Sequence, residues 1–269
     1  MHVKNAVAVV TGAGSGIGRA LAQSLAGKGC HLAIADVHPA NLQITAQLLA
    51  AYPVKVSQHV LDVASPEAVA ALPAAVLDAH GQVDILVNNA GVALAGTFEQ
   101  TSQSDFDWLM EINFHGLVRM TRAFLPLLRQ RPRARIVNVS SLFGLISPPG
   151  QTAYSASKFA VRGFSNALRL ELERTPVGVT VVHPGGIATA TNARISDGIS
   201  TQEARMQQAQ AAKMLRMPPD RAADVIVRAI ERDQERVLVG WDAKILSILE
   251  RLMPVHYWRL LARHAGDSK

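Results

Sequence analysis

The sequence alternates regularly between short apolar runs and longer segments with helical periodicity. The early runs at residues 7–10, 31–35 and 83–87 do not place a polar residue at every second position, as a strand with one exposed face would. Strands that are apolar on both sides are typical of a parallel sheet covered by helices on both faces. The alternation therefore restricts the chain to an α/β architecture with right-handed crossovers.

The boundaries of the runs define the predicted elements. Strands are expected at residues 7–10, 31–35, 54–60, 83–87, 134–139, 177–182 and 237–239. Helices are expected at residues 16–28, 41–52, 66–80, 104–130, 152–174 and 222–231. No repeat, low-complexity tract or linker divides the chain, so we expect one domain over residues 1–269. Its fold would be a Rossmann-like doubly wound parallel sheet of about seven strands, flanked by helices on both faces.

Composition limits the partners and the compartment. The chain has 269 residues, of which 49% are hydrophobic, and can bury a sizeable core. The net charge of +6 is not accompanied by a nucleic-acid-binding motif, so no nucleic-acid partner is expected. Cys30 is the only cysteine, and the N-terminus lacks the pattern of a signal peptide. We expect a cytoplasmic location and no metal.

A glycine-rich turn follows the first expected strand and leads into the first expected helix. Its sequence is Thr11-Gly12-Ala13-Gly14-Ser15-Gly16-Ile17-Gly18. The spacing of Gly12, Gly16 and Gly18 allows a tight turn, close approach of the backbone to a pyrophosphate, and packing of helix against strand. The helix N-terminus then offers free N–H groups and a positive dipole end to the phosphates. This context predicts a dinucleotide-binding turn.

Asp36, at the end of the second expected strand, bears on the choice of cofactor. A carboxylate at this position can accept hydrogen bonds from the ribose hydroxyls of NAD, and its charge repels the 2′-phosphate of NADP. Neither Ser15 nor Val37 supplies a compensating cation, so NAD is favoured. Arg19 and His38 are close enough in sequence to leave NADP open. A purely structural role for Asp36 in a strand-end turn is the other alternative.

With these motifs the chain resembles the short-chain dehydrogenase/reductase family, of the compact type with a one-domain subunit. The glycine pattern of the turn matches that family, and further family motifs follow in order, so that the resemblance covers residues 5–240. These motifs are Asp62-Val63, Asn88-Asn89-Ala90-Gly91, Asn113, Ser140-Ser141, Tyr154-Ser-Ala-Ser-Lys158 and Pro184-Gly185-Gly186-Ile187-Ala188-Thr189. No departure from the family pattern touches a catalytic position.

The resemblance implies a catalytic group of Asn113, Ser141, Tyr154 and Lys158. Hydride transfer to or from nicotinamide needs a proton transfer at the carbinol oxygen, which Tyr154 can perform if its pKa falls from about 10. Lys158 stands four residues further along the same helix face, and its ammonium would lower that pKa. Ser141 would orient the substrate oxygen, with Ser140 as the neighbouring alternative. Asn113 would hold a water that links Lys158 to solvent.

The resemblance also implies which residues bind the cofactor. Asp62 and Val63 would contact the adenine, Lys158 the nicotinamide ribose, and the segment after residue 184 the carboxamide. The full expected set is Gly12, Ser15, Gly16, Ile17, Gly18, Asp36, Asp62, Val63, Asn89, Ala90, Gly91, Tyr154, Lys158, Pro184, Gly185, Ile187 and Thr189.

The predicted function is an oxidoreductase that transfers a hydride between NAD(H) and a secondary alcohol or ketone with apolar bulk. One alternative is an NADP-dependent carbonyl reductase of the same family. Another is a cofactor-sensing scaffold without catalysis, although such a protein would be expected to lose Tyr154, Lys158 or Ser141. Epimerases and dehydratases use similar residues but usually carry longer substrate domains.

Two segments are expected to vary within the family. Residues 190–217 fall where the family places its substrate lid. Residues 242–269 form an amphipathic extension that Pro254 interrupts. For this extension, packing across a subunit interface or over the active site is favoured over peripheral membrane contact, which its aromatic and basic residues leave open. Since the family commonly forms dimers and tetramers, a homodimer or homotetramer is expected.

Overall fold

The computed structural model describes residues 1–189, 193–195 and 217–266. Its strands are β1 Val7–Thr11, β2 His31–Asp36, β3 Val56–Val60, β4 Ile85–Asn88, β5 Ala93–Ala95, β6 Ala134–Val139, β7 Val177–Pro184, β8 Ala193–Ile195 and β9 Arg236–Val239. Its α-helices are α1 Gly16–Ala26, α2 Pro39–Leu49, α3 Pro66–His80, α4 Gln103–Met110, α5 Leu117–Leu128, α6 Thr152–Glu171, α7 Pro219–Glu231, α8 Trp241–Leu252 and α9 Tyr257–Gly266.

Seven strands form one sheet in the order β3-β2-β1-β4-β6-β7-β9, and every neighbouring pair is parallel. This confirms the predicted fold class. The chain first builds outward from β1 to β3 and then returns to place β4 on the other side of β1. The strand order therefore reverses between β1 and β4, and ligands of such sheets bind outside the carboxyl ends of the strands at that point.

Apolar residues are buried on both faces of the sheet. Val9 and Val10 are neighbours in β1 and are both fully buried, but they belong to different core clusters. Val10 packs in the cluster that contains Ile226 of α7, and Val9 in the cluster that contains Phe124 of α5. Because successive side chains of a strand point to opposite faces, two covered faces need the continuous apolar run seen in the sequence.

The segment expected to be one helix over residues 104–130 is interrupted. A π-helical stretch at Glu111–Gly116 separates α4 from α5, and α5 ends at Leu128. Asn113 lies in this stretch, where its side chain is hydrogen-bonded to the main chain of Val92 and to Ser157. These contacts outside the helix hold the extra residue of the π turn, and helical periodicity alone does not reveal such contacts.

A small second sheet was not predicted. It consists of β5 and β8, which pair in parallel over three residues each. Strands this short have too few residues to show a periodic pattern. Most of the predicted lid at residues 190–217 lies outside the described residues, and only residues 193–195 and 217 belong to the described part.

The C-terminal extension folds as α8 and α9, which are separated around Pro254 as the sequence suggested. The inner face of α8 covers the segment after Ser141, where Ala243 and Leu246 pack with Leu145 and Ile146. Its outer face carries an exposed apolar stripe of Trp241, Ile245, Ile248 and Leu252, continued by Val255. Among the described helices, none combines the length and apolar character needed to cross a membrane.

Candidate active site

The glycine-rich turn connects β1 to α1 in the predicted conformation. Gly12 and Gly16 have φ angles of 63° and 51°, in the left-handed region that favours glycine. A Cβ at Gly18 would lie 2.1 Å from the carbonyl oxygen of Gly12, so no side chain fits there. Ile17 packs against the core, and Ser15 does not cap α1 with its side chain. The N-terminus of α1 thus lacks a side-chain cap, so its free N–H groups can donate hydrogen bonds to a phosphate.

Asp36 lies beside this turn at the end of β2. Its Oδ2 accepts the N–H of Gly14 at 2.8 Å, and its Oδ1 accepts the N–H of His38 at 2.9 Å. Asp36 therefore has a structural role in the turn at the end of β2, as one of the alternatives for this residue predicted. Each carboxylate oxygen can accept more than one hydrogen bond, so the structural bonds leave capacity for ribose hydroxyls.

Arg19, which left NADP open, is attached to the turn. Its Nε donates to Thr45 Oγ1 at 3.0 Å, and its Nη2 donates to the carbonyl oxygen of Gly14. The Arg19 side chain therefore links the glycine-rich turn to Thr45 of α2. A movement of the guanidinium toward a 2′-phosphate would break these bonds.

Thr11 fastens the turn to β4, a role that the sequence analysis missed. Its Oγ1 donates to the carbonyl oxygen of Val87 at 3.2 Å and accepts the N–H groups of Asn89 and Ala90, each at 3.0 Å. The Asn89 side-chain amide returns two bonds, to the carbonyl oxygens of Thr11 at 3.0 Å and Gly12 at 3.2 Å. A threonine directly before the first glycine of the turn was the available signal.

Tyr154 and Lys158 lie one turn apart at the start of α6, facing the end of β6. The Lys158 Nζ is 5.7 Å from the centroid of the Tyr154 ring and donates to the carbonyl oxygen of Val139 at 3.2 Å. The Ser141 side chain is near enough to Tyr154 to lower the pKa of its hydroxyl, and Phe143 meets the Tyr154 ring edge-on with the centroids 6.0 Å apart. The fold therefore brings together the tyrosine, the lysine and the serine of the predicted catalytic group.

Burial acts against the charged forms of both groups. It raises the pKa of Tyr154, while the hydrogen bond with Ser141 opposes that rise. It also lowers the pKa of Lys158 to about 8. We expected Lys158 to lower the pKa of Tyr154. Without a bound cofactor the pKa of Tyr154 is instead raised, because burial of the hydroxyl has the largest effect on it.

The two neighbouring serines have different contacts. Ser140 is buried and donates from its Oγ to the carbonyl oxygen of Lys158 at 2.8 Å. Ser141 accepts the N–H of Phe143 at 3.1 Å and acts on the pKa of Tyr154. Ser140 thus ties α6 to the sheet, whereas Ser141 faces the tyrosine.

Asn113 is fully buried beside Lys158, and its amide is largely committed. Oδ1 accepts the N–H of Val92 at 2.8 Å, while Nδ2 donates to the Val92 carbonyl oxygen at 3.0 Å and to Ser157 Oγ at 3.1 Å. A Cβ at Gly91 would lie 3.1 Å from Asn113 Oδ1 and 3.4 Å from Lys158 Nζ. The absence of a side chain at Gly91 therefore lets these two polar groups face the same point.

The segment after β7 is held by a residue that the sequence analysis did not single out. Asp242, in the first turn of α8, accepts the N–H of Gly186 at 2.7 Å through Oδ2. A Cβ at Gly185 would lie 2.1 Å from Asp242 Oδ1, and one at Gly240 would lie 2.3 Å from it. Gly185, directly after β7, and Gly240, directly before α8, were the signal, because they leave room for the carboxylate.

The same segment reaches back to the phosphate-binding turn. Ile187 is buried and forms a parallel bridge with Met217, and the Thr189 methyl carbon lies 3.1 Å from where a Cβ of Gly16 would be. Pro184 ends β7. The Thr189 contact shows that the predicted carboxamide segment, which follows Pro184, lies next to the turn after β1.

Asp62 and Val63 follow β3 on the neighbouring part of the same edge. Asp62 is exposed, and its Oδ1 accepts the N–H of Ala64 at 2.9 Å. Val63 is buried against Gly116, where a Cβ would lie 2.8 Å from the Val63 Cγ2. The pair therefore adjoins the π-helical stretch that contains Asn113.

Comparison with known proteins decides the family. A family model described as short chain dehydrogenase matches residues 6–200. The chain belongs to the short-chain dehydrogenase/reductase family. The Mycobacterium tuberculosis protein SadH is 45% identical over 267 residues, which cover 98% of this chain and 95% of that protein. A Burkholderia phymatum short-chain dehydrogenase/reductase, solved in complex with NAD, has a TM-score of 0.86 at 30% identity and covers 93% of this chain and 94% of its own.

A second solved structure extends the comparison. It is a metagenomic short-chain oxidoreductase in complex with NADP, with a TM-score of 0.72 at 29% identity, covering 89% of this chain and 98% of its own. In this short-chain dehydrogenase/reductase, the segments after β1, β4, β6 and β7 supply most of the predicted site residues. They meet at one edge of the sheet, where the strand order reverses.

Proposed function

We propose that the protein transfers a hydride between NAD(H) and a secondary alcohol or ketone with apolar bulk. The observation that carries this proposal is the convergence of Tyr154, Ser141 and Lys158 at the sheet edge that also holds the glycine-rich turn. A phenol hydroxyl, a second hydroxyl beside it and a buried amine are the groups that proton transfer at a carbinol oxygen needs.

The residues around the turn fit a dinucleotide. The glycines leave space for a close approach of the pyrophosphate, the N-terminus of α1 lacks a side-chain cap, and Asp36 retains capacity for ribose hydroxyls. When bound, NAD supplies the hydride acceptor for oxidation of the alcohol. The nicotinamide end would extend past Thr189 toward Tyr154 and Lys158, which would hold the nicotinamide ribose.

Each catalytic side chain has a separate task in this proposal. Ser141 donates a hydrogen bond to the substrate oxygen and orients it. Tyr154 accepts the carbinol proton during oxidation and returns a proton during reduction. Lys158, with a pKa of about 8, is mainly protonated at neutral pH and stabilises the phenolate. Asn113 acts as a positioning residue that keeps the Val92 segment and Ser157 around Lys158.

NAD is proposed over NADP because of the charge at the turn. The Asp36 carboxylate would repel a 2′-phosphate, and Arg19 is attached to Gly14 and Thr45. An NADP-dependent carbonyl reductase is the second candidate, and the related structure with NADP favours keeping it. Rates with the two cofactors at equal concentration distinguish the candidates.

The first prediction concerns the Tyr154 hydroxyl. We expect Tyr154→Phe to reduce kcat/KM for NADH formation, measured across a panel of secondary alcohols, by roughly 100- to 10,000-fold, because the proton acceptor is lost. Tyr52→Phe is the matched control, since Tyr52 packs against the core away from the site and should keep its activity.

Equal rates in the wild type and Tyr154→Phe would remove Tyr154 from the mechanism. A wild type that binds NADH, seen by fluorescence, but turns over no alcohol or ketone in the panel would favour the scaffold without catalysis. The retention of Tyr154, Lys158 and Ser141 argues against that alternative.

The proposal also covers the oligomeric state and the location of the protein. We expect a homodimer or homotetramer in the cytoplasm, one domain per chain, no metal, and the substrate lid over residues 190–217. Sedimentation velocity at micromolar concentration checks the assembly state. A single species with the mass of one chain, 28.8 kDa, would contradict it.

A further inference from the structure

A cleft outside the predicted active site lies between α6, the end of β7 and β9. Its volume is about 420 Å³, and it is lined by Arg162, Asn166 and Arg169 of α6, His183 of β7 and Arg236 of β9, among others. A wider cleft of about 700 Å³ beside α8 shares Arg162 and Arg236 with it and is also lined by Ile248 and Leu252. None of the predicted catalytic or cofactor residues lines either cleft.

The shared wall of the two clefts is cationic. Arg162 donates to the carbonyl oxygen of Gly144 at 3.3 Å, and Arg236 donates to Ser247 Oγ at 3.1 Å. Within the described part of the chain, both guanidinium groups are thus bonded to neutral oxygens, and neither is in an ion pair. Burial lowers the pKa of Arg236, and Arg162 lowers it further.

Nearby charges do not cancel this cationic wall. Arg169 is paired with Glu235, so that these two charges offset each other. Glu250 and Arg251, both on α8, act on Arg236 with opposite signs. The remaining excess is the positive charge of Arg162 and Arg236.

His183 lies in the wall of the cleft and has a ring nitrogen without a partner among the described residues. The residue is fully buried, and its Nδ1 lies 3.0 Å from the carbonyl oxygen of Ser141, to which it can only donate. The other ring nitrogen, Nε2, is buried without a partner in the described residues. Burial lowers the pKa of His183 to about 4, so the ring is neutral at pH 7 and Nε2 is an acceptor.

This combination specifies the chemistry of a ligand. The two guanidinium groups would bind an oxyanion. The Nε2 atom of His183 would accept a hydrogen bond from a hydroxyl group of the same ligand. The second proton of a phosphate monoester leaves with a pKa of about 6, so its monoanion carries both groups and its dianion does not, and inorganic phosphate keeps this proton to a higher pH. Sulfate and phosphate diesters have the charge but no such proton.

We propose that this cleft is a second ligand site, which binds inorganic phosphate or a phosphate monoester between Arg162 and Arg236, with the P–OH group donating to His183 Nε2. A monoester can come from a water-soluble metabolite or from a lipid such as phosphatidic acid. The apolar Ile248 and Leu252 in the wider cleft would then lie next to an acyl chain. The link from His183 to the Ser141 carbonyl connects the site to the strand end that carries the candidate catalytic serine.

Thermal unfolding and titration calorimetry at pH 7 and constant ionic strength test the proposal without any substrate. We expect inorganic phosphate to raise the unfolding temperature saturably with one cleft site per chain, and sulfate to raise it clearly less. Arg162→Gln and Arg236→Gln should each weaken phosphate binding by roughly tenfold or more. Arg174→Gln removes the same charge from an exposed position outside the cleft and should leave binding unchanged.

The turn before α1 also attracts phosphate, so the comparison among arginine variants assigns the site. A phosphate effect that equals the sulfate effect, or that survives in both Arg162→Gln and Arg236→Gln, overturns the proposal. Flotation with vesicles of phosphatidylcholine containing phosphatidic acid or phosphatidylglycerol identifies the source. Binding to phosphatidic acid alone, lost in Arg236→Gln, indicates a lipid, and phosphate binding without flotation indicates a soluble ligand.

Discussion

At the scale of single residues, Asp36 combines hydrogen bonds to the main chain of the turn with the proposed hydrogen bonds to the adenosine ribose. Both of its carboxylate oxygens are already bonded to main-chain N–H groups, those of Gly14 and His38. A substitution therefore changes the turn as well as the charge next to the adenosine ribose. Only a ratio of rates with two cofactors separates these effects, because a distorted turn weakens the binding of both.

We expect Asp36→Ala to lower the NAD to NADP preference, measured as the ratio of kcat/KM values, by about tenfold or more. Loss of the carboxylate removes the repulsion of a 2′-phosphate and the acceptor for ribose hydroxyls. Asp78→Ala removes an exposed carboxylate on α3 and serves as the control. An unchanged ratio in Asp36→Ala would show that its role is structural alone.

Lys158 gives a prediction about stability and pH. Its pKa is lowered from 10.5 to about 8 in the folded protein, so between these values the unfolded chain binds more protons. The cost of burying the charged form is fully present below pH 8, and stability rises as the pH increases through 8 toward 10.5. The contribution between pH 8 and 9 is about 1 kcal/mol.

Lys158→Met should lack this rise, as measured by denaturant unfolding between pH 7 and 9. Lys55→Met, which replaces an exposed lysine, should retain the wild-type slope. The test stays below pH 9 because burial raises the pKa of Cys30 to about 12, which lowers stability at higher pH. Parallel curves for the wild type and Lys158→Met would mean that Lys158 titrates normally.

At the scale of secondary-structure elements, strands were easier to predict than the helix that carries Asn113. Nearly all residues of the central strands β1 and β2 are buried, and their continuous apolar runs leave few alternatives. The π-helical stretch depends on Asn113 reaching Val92 and Ser157, which are distant in sequence. Local periodicity carries no information about such contacts.

The end of β6 separates two adjacent serines by function. We expect Ser141→Ala to reduce kcat/KM by roughly tenfold or more, because its hydroxyl faces Tyr154, and to lower stability less than Ser140→Ala, because its bond to the Phe143 N–H is only part-buried. Ser140→Ala should instead lower the free energy of unfolding by about 1 to 2 kcal/mol, since a buried bond to the Lys158 carbonyl is lost. Kinetics and denaturant unfolding of both variants make the test, and a reversed pattern would exchange their roles.

At the scale of the whole molecule, α8 connects the C-terminal extension to the predicted carboxamide segment. Its inner face packs over Leu145 and Ile146, and Asp242 holds the N–H of Gly186. The extension is therefore attached to two sides of the site, after β6 and after β7. Packing of the extension across a subunit interface or over the active site stays a prediction.

We expect Asp242→Ala to raise the KM for the cofactor several-fold and to lower the free energy of unfolding by about 1 kcal/mol, because the bond to Gly186 is charge-assisted but exposed. Limited proteolysis should also cut the extension faster. Glu173→Ala, at an exposed position after α6, is the control. Unchanged cofactor KM and proteolysis would show that α8 is held by apolar packing alone.

The sequence predicted the site better than its supports. The turn, Ser141, Tyr154 and Lys158 lie in short local motifs, where spacing alone carries the information. Thr11 and Asp242 act on segments that are 76 and 56 residues away in the chain. Such partners become visible only when the fold brings them together.

The Asp242 contact has a consequence for the length of the chain at this point. Asp242 reaches Gly186 only because Gly240 and Trp241 alone separate it from the end of β9. One inserted residue would rotate the carboxylate by about 100° around the axis of α8 and move it away from Gly186. A tag or fused domain therefore belongs beyond α9, and the connection from β9 to α8 is a poor place for an insertion or a circular permutation.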